Sequence, residues 1–189
     1  MAIDNTQKGN LFLSGGTLYM YPIENGVETG EKVDMGATEL TITRDTTTAE
    51  AFTKSGGLKQ KIAEVVTEES YTMKIKSNSF SPANLAAALG GSAKEITFAA
   101  DETLPNGEVA VGGEKFIKIE AGTNPLLTAR LVFEGNPVKG KKVICVIHEA
   151  TVKFGGDLPL MSEEFATADY EASAVKTDSG YLDYFIENV

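Results

Sequence analysis

The chain has 189 residues, 17 basic and 27 acidic, for a formal net charge of −10; its length suits one domain that buries roughly 70% of its unfolded surface without staples. A single cysteine, Cys145, and a single histidine, His148, exclude a disulfide framework and any multi-cysteine or multi-histidine metal centre, and the lone thiol fits a reducing cytosol. The acidity argues against gripping nucleic acid through its phosphates, which takes clustered Lys and Arg, but not against a partner that has to be repelled.

The opening Met1 to Asn10 is polar, with no apolar core, so no signal peptide is expected, and no stretch reaches the ~20 apolar residues of a membrane span. Leu11-Phe12-Leu13 and Thr17 to Ile23 read as two short strands split into a hairpin at Gly15-Gly16. From Ala37 to Arg44 the residues alternate, Leu40 and Ile42 against Glu39, Thr41 and Thr43. The segment Asp45 to Ala63 has no clean period, and a connection of that length is long for one domain, so it is expected as a functional or mobile loop. Alternation resumes from Glu68 to Lys76, with Tyr71, Met73 and Ile75 apolar and Glu68, Ser70, Thr72, Lys74 and Lys76 polar.

One short helix is predicted over about 81–89. Ser81 is its N-cap, Pro82 takes the first helical position, and Gly90-Gly91 ends it. Phe80 and Leu85 are placed for a hydrophobic staple, and Leu85 and Leu89 are expected to hold the helix on a sheet. Further strands follow at Lys94–Ala99, Glu114–Glu120, Leu127–Glu134 and Val143–Phe154. The run from Glu164 to Val175 alternates again, Ala166, Ala168, Tyr170, Ala172 and Ala174 against Thr167, Asp169, Glu171 and Ser173. Thr, Val, Ile, Tyr and Phe dominate these runs, as half-buried pleated surfaces favour. The whole chain, 1–189, reads as a single mainly β domain, a β-sandwich or barrel with one flanking helix.

Catalytic chemistry is not supported. Gly135 to Lys141 matches the Gly-x-x-x-x-Gly-Lys part of a phosphate loop, but Lys142 stands where Ser or Thr is needed, and a β run follows where a helix should start. It reads as a turn between strands. Cys145 and His148 are three apart, on opposite faces of a strand, which disfavours a nucleophile pair; His148 is expected on one face with Ile144, Val146, Ala150 and Val152, as a core or interface histidine. No carboxylate pair sits in an apolar setting that would raise a pKa. Neither a cofactor nor a metal is expected. The polar faces of the four runs 37–44, 67–77, 143–154 and 163–176 fit either the solvated outside of a sandwich or a wall that several subunits close around water.

From Gly36 to Gly91 the chain resembles the tail tube, or major tail, proteins of long-tailed bacteriophages. The resemblance rests on the strand Glu39-Leu40-Thr41-Ile42-Thr43-Arg44, the Thr/Glu-rich stretch leading to Lys54-Ser55-Gly56-Gly57-Leu58, the strand entry Val65-Val66-Thr67-Glu68-Glu69, and the block Phe80-Ser81-Pro82-Ala83-Asn84-Leu85 closing on Leu89-Gly90. It covers about a third of the chain, and none of these motifs is catalytic. It implies a tail tube fold like that of the type six secretion tube protein. Subunits would form hexameric rings, each giving four strands to an inner β-barrel, and the rings would stack into an acidic-lined conduit for genome DNA.

Carried onto this chain, the resemblance makes Glu39, Thr41, Thr43, Glu68, Ser70, Thr72, Thr167, Asp169, Glu171 and Ser173 lumen-facing. The segment 45–63 becomes the ring-stacking loop, with Thr46, Thr47, Thr48, Phe52, Lys54, Ser55, Gly56, Gly57, Leu58 and Lys59 as its contacts. Implied partners are further copies of itself, other tail proteins at the tip and terminator, and a tail assembly chaperone; genome DNA passes without specific binding and no membrane is involved. The implied location is the virion tail, with the host cytoplasm before assembly. A carboxylate wall would repel DNA and keep a hydrated gap, whereas a basic one would hold it. Lys74, Lys76 and Lys153 share the polar faces and are expected to pair with carboxylates or to point away from the lumen. A second reading is a β-sandwich baseplate or adhesin module that binds a host-surface glycan, which the absence of Trp and only 8% aromatic residues disfavour.

Overall fold

A computed structural model describes residues 13–55, 58–122, 126–156 and 167–187. Eleven strands lie among them: β1 (Leu13–Glu24), β2 (Val27–Glu28), β3 (Val33–Asp34), β4 (Ala37–Ser55), β5 (Leu58–Ser77), β6 (Ser92–Phe98), β7 (Glu114–Glu120), β8 (Leu127–Lys139), β9 (Val143–Phe154), β10 (Ala168–Ala174) and β11 (Leu182–Ile186). One helix, α1 (Pro82–Ala88), sits between β5 and β6. The protein is mainly β, as its β-branched and aromatic alternation requires.

The large sheet is antiparallel throughout, in the order β2-β1-β8-β9-β10-β5-β4, with β3 on β1 and β11 on β9. β6 and β7 form a separate two-stranded sheet. β3 and β4 are joined through Met35 and Gly36 alone, so the two ends of the strand path meet there. Met35 N–H donates to Leu18 O at 3.0 Å, and Asn78 N–H donates to Gly36 O at 3.2 Å. The sheet thus curls around one core, built of Leu18 and Met20 from β1, Met73 and Ile75 from β5, Leu131 from β8, Ile147 and Val152 from β9, and Tyr170 from β10.

Three local expectations are corrected. Gly15-Gly16 is no hairpin turn: β1 runs through both residues and pairs continuously with β8 from Ser14 to Pro22. Gly16 is there for space, since a Cβ on it would lie 2.4 Å from the Phe133 ring and 2.7 Å from Glu134 O, whereas a Cβ on Gly15 would meet nothing within 4 Å. Leu11 and Phe12 lie outside the described residues.

On β9 the buried residues are Val143, Cys145 and Ile147, then Ala150 and Val152. The face changes because Ala129 pairs with Ala150 and Leu131 with Ile147, leaving Arg130 opposite both His148 and Glu149. Such a bulge shifts the alternation by one residue. His148 therefore does not share a face with Ala150 and Val152, and Cys145 faces the core.

The helix forms where its caps place it. Ser81 Oγ accepts from Asn84 N–H at 3.2 Å, and Gly90 takes φ +57° just past its end. Its buried residues, however, are Asn84, Ala86 and Ala88, while Leu89 is 36% exposed and Leu85 is half-buried. Small side chains let the helix sit close against the sheet, and the leucines lie to the side. Asn84 Nδ2 donates to Asp34 O at 3.0 Å, and the Ser77 hydroxyl donates to Met35 O. These bonds tie α1 and the end of β5 to the place where the sheet closes.

Candidate functional site

The segment 45–63, expected as a loop, is the distal part of a long β-ribbon. β4 and β5 pair from Ala37–Ser77 to Ser55–Leu58, with register shifts between Thr47 and Thr48 and between Ala51 and Phe52. Those two irregularities are why no period of two is visible in its sequence. Every described side chain from Thr43 to Glu68 is exposed, so this ribbon projects from the core. Phe52, Ile62, Val65 and Val66 are apolar yet 42–65% exposed on it. Thr46, Thr47, Thr48, Phe52, Lys54 and Lys59 lie along its two strands, as do Ser55 and Leu58 at the last backbone pair; Gly56 and Gly57 lie outside the described residues. Lys59 Nζ stands 4.0 Å from the centroid of the Phe52 ring, and Lys61 bridges Glu50 and Glu64 at 2.6 Å each. At the ribbon's root Arg44 Nε lies 2.7 Å from Glu69, and the Tyr181 hydroxyl donates to Glu69 O at 2.8 Å.

The four runs read as inner strands are neighbours, in the order β4-β5-β10-β9. Their register brings the predicted polar residues together as rows on one face of the sheet. Glu39 is opposite Lys76, and Lys76 opposite Asp169. The next row is Thr41, Lys74, Glu171 and Lys153, and the third is Thr43, Thr72, Ser173 and Thr151. Asp45 with Ser70 and Thr47 with Glu68 continue the face onto the ribbon. Thr167 is exposed just ahead of β10, while residues 163–166 lie outside the described residues. The opposite faces of these strands carry Leu40, Ile42, Met73, Ile75, Tyr170 and Ala172, all in or against the core.

A wall of carboxylates alone is not what this face carries. Lys76 Nζ is 3.3 Å from Glu39 Oε2, and Lys153 Nζ is 3.1 Å from Glu171 Oε2. These pairs are solvent-exposed and each adds less than about 1 kcal/mol to stability. Their effect is on the field that the face presents. A shallow cleft of about 400 Å³ lies between the rows, lined by Glu39, Thr41, Lys74, Gly155, Asp169 and Glu171. Gly155, which sequence reasoning passed over, leaves room there: a Cβ on it would meet Glu171 Cγ at 2.8 Å. Its only sequence signal is the Gly155-Gly156 pair that ends β9.

The other candidate chemistry stays dispersed. Cys145 is 1% exposed, and burial, with the Asp183 charge second, pushes its thiol up to about 11. His148 Nε2 lies 3.4 Å from Asp183 Oδ2, on the side of β9 away from that thiol. Among the described residues no three of His, Cys, Asp and Glu gather as metal ligands would. The Gly135–Lys141 stretch belongs mostly to β8, with Gly140 just past the strand's end at φ +109°.

The fold is that of a mainly β protein whose curled antiparallel sheet turns one face to the core and sets its polar rows on the other. By sequence the chain belongs to a family described as protein of unknown function UCP028589, whose model matches residues 11–114, more than half the chain. That span runs from the lead into β1 to the first residue of β7. A comparison with curated proteins finds none that matches.

Proposed function

We propose that this chain is a structural subunit that polymerises, the tail tube protein of a long-tailed bacteriophage. Hexameric rings of it stack into a conduit for genome DNA, and the polar face of β4-β5-β10-β9 lines the lumen. The observation that carries this reading is the placement of those four strands side by side with their polar residues in register on one face, beside a ribbon that projects exposed apolar side chains. Two physical arguments support it. β4 has an outer edge with no strand partner among the described residues, and a 19-residue edge is a liability that pairing between subunits removes. The ribbon's exposed Phe52, Ile62, Val65 and Val66 would likewise be covered between rings.

In this reading the protein's partners are its own copies, tail proteins at the tip and terminator, and an assembly chaperone before it enters the virion. DNA passes through without specific binding. Negative-stain microscopy of concentrated protein tests the proposal. Rings or tubes are expected. A protein that stays monomeric at high concentration, even when seeded with tail tip complexes, overturns it.

A further inference from the structure

Six charged side chains occupy the first two rows of the polar face, and the register alternates their signs. Glu39, Lys76 and Asp169 follow one another across β4, β5 and β10; Lys74, Glu171 and Lys153 follow across β5, β10 and β9. Three carboxylates meet three lysines, so a chain of net charge −10 presents here a patch of formal charge zero. Lys76 and Lys153 are held by Glu39 and Glu171. Lys74, between Thr41 and Glu171, is the lysine of these rows without an ion pair among the described residues. Beside the charged rows runs the row of hydroxyls Thr43, Thr72, Ser173 and Thr151.

A reason for this mixture follows from sheet geometry. Carboxylates alone at directly opposed positions would stand about 5 Å apart and repel, destabilising the pairing. Lysines between them remove that repulsion, but bare lysines bind phosphate by releasing its counterions. An approaching polyanion must then compete for Lys76 and Lys153 with the carboxylates already paired to them.

We propose that Glu39, Asp169 and Glu171 are masking residues. Glu39 and Glu171 occupy Lys76 and Lys153, and Asp169 stands across the strand from Lys76. A nucleic acid duplex moving along the charged rows therefore meets a hydrated surface of formal charge zero, with only Lys74 outside an ion pair among the described residues. The use of that property rests on the lumen reading above, but the masking belongs to the single subunit.

The test compares the wild type with E39Q/D169N/E171Q and with E24Q/E31Q/D178N, which removes as many negative charges away from the face. Binding of a labelled DNA duplex of about 20 base pairs is followed by fluorescence anisotropy as salt rises from about 20 to about 200 mM. The masking variant is expected to bind, with a log–log salt slope of about −2 to −3, near −0.9 for each of Lys76 and Lys153, which it frees, and of Lys74, which is already unpaired. Wild type and the remote variant are expected not to bind, and adding K74Q/K76Q/K153Q to the masking variant should abolish binding. Absence of binding by the masking variant, or equal binding by the remote one, overturns the proposal. Microscopy on the same samples separates the two readings: tubes without DNA binding by the masking variant sink the masking alone. DNA binding by that variant, from a protein that forms no tubes, sinks the lumen alone.

Discussion

The Tyr170 hydroxyl donates to the carbonyl of Asn84 at 3.0 Å, joining the middle of β10 to the helix that covers the end of the curled sheet. Tyr170 is 2% exposed and Asn84 1%, so this bond forms away from water. Its flanking residues Asp169 and Glu171 point to the other side, into the polar rows. One strand thus fixes the helix with one face and carries charge on the other.

Replacing Tyr170 by Phe keeps the ring, which packs edge-on against Phe154 with centroids 6.0 Å apart, and deletes only the hydroxyl. A loss of about 1 kcal/mol is expected from a deleted internal hydrogen bond, read as a lower urea midpoint with an unchanged slope. Tyr170→Ala, which removes the ring as well, should cost about 3–5 kcal/mol by analogy with other large-to-small aromatic changes.

Two buried acids set the alkaline limit of stability. Burial raises Tyr170 from 10.0 to about 12, and burial with the Asp183 charge raises Cys145 from 9.0 to about 11. In both cases the unfolded chain gives up its proton first, so the stabilisation is complete below the unfolded value and declines as pH rises toward the folded one. Urea midpoints should begin to fall above pH 9.0, on account of Cys145, and continue falling toward about 12 on account of Tyr170. Cys145→Ala should delay the onset by roughly one pH unit, the gap between the unperturbed thiol and phenol. A midpoint that stays flat through this range would show that neither group is buried as described.

Gly16 should not tolerate a side chain. Its missing Cβ is filled by the Phe133 ring at 2.4 Å and by backbone oxygen at 2.7 Å. Gly16→Val is expected to destabilise by about 1–3 kcal/mol, the usual range for overpacking. Combining it with Phe133→Ala should recover part of the steric cost, so the two changes should fail to add in a double-mutant cycle.

On the proposed reading, the ribbon should serve assembly and not folding. Phe52, Val65 and Val66 are exposed and contribute little to the core, so Phe52→Ser/Val65→Ser/Val66→Ser should each change monomer stability by less than about 0.5 kcal/mol. Deleting residues 46–60 should likewise leave a folded monomer by circular dichroism. Both changes are expected to abolish rings or tubes under the microscope. Normal tubes from the deletion would remove the ribbon from assembly.

Period-two alternation was enough to identify β4's first half, β5's second half and β10, because one face of each meets a continuous core and the other meets water. It failed along 45–63, where register shifts break the period and no core face exists to impose one. On β9 the bulge at His148-Glu149 reversed the burial pattern, and Cys145 rather than His148 went inside. For the helix, Ser81 and Gly90 marked the ends by local backbone chemistry. Which side it buries depended on how closely the sheet approaches, and that favoured Asn84, Ala86 and Ala88 over Leu89.

The sequence by itself determined a mainly β chain of net charge −10, with one capped helix and four strands of divided polarity. These are local properties, set by side-chain period, caps and composition. The tertiary structure alone decided which strands are neighbours, and with them which charges face one another. Glu39 and Lys76 are far apart in the chain and Lys153 and Glu171 lie in different strands, so their pairing depends on register across the sheet. That register makes a face of acidic promise locally neutral, because each carboxylate in the charged rows has a lysine directly across from it.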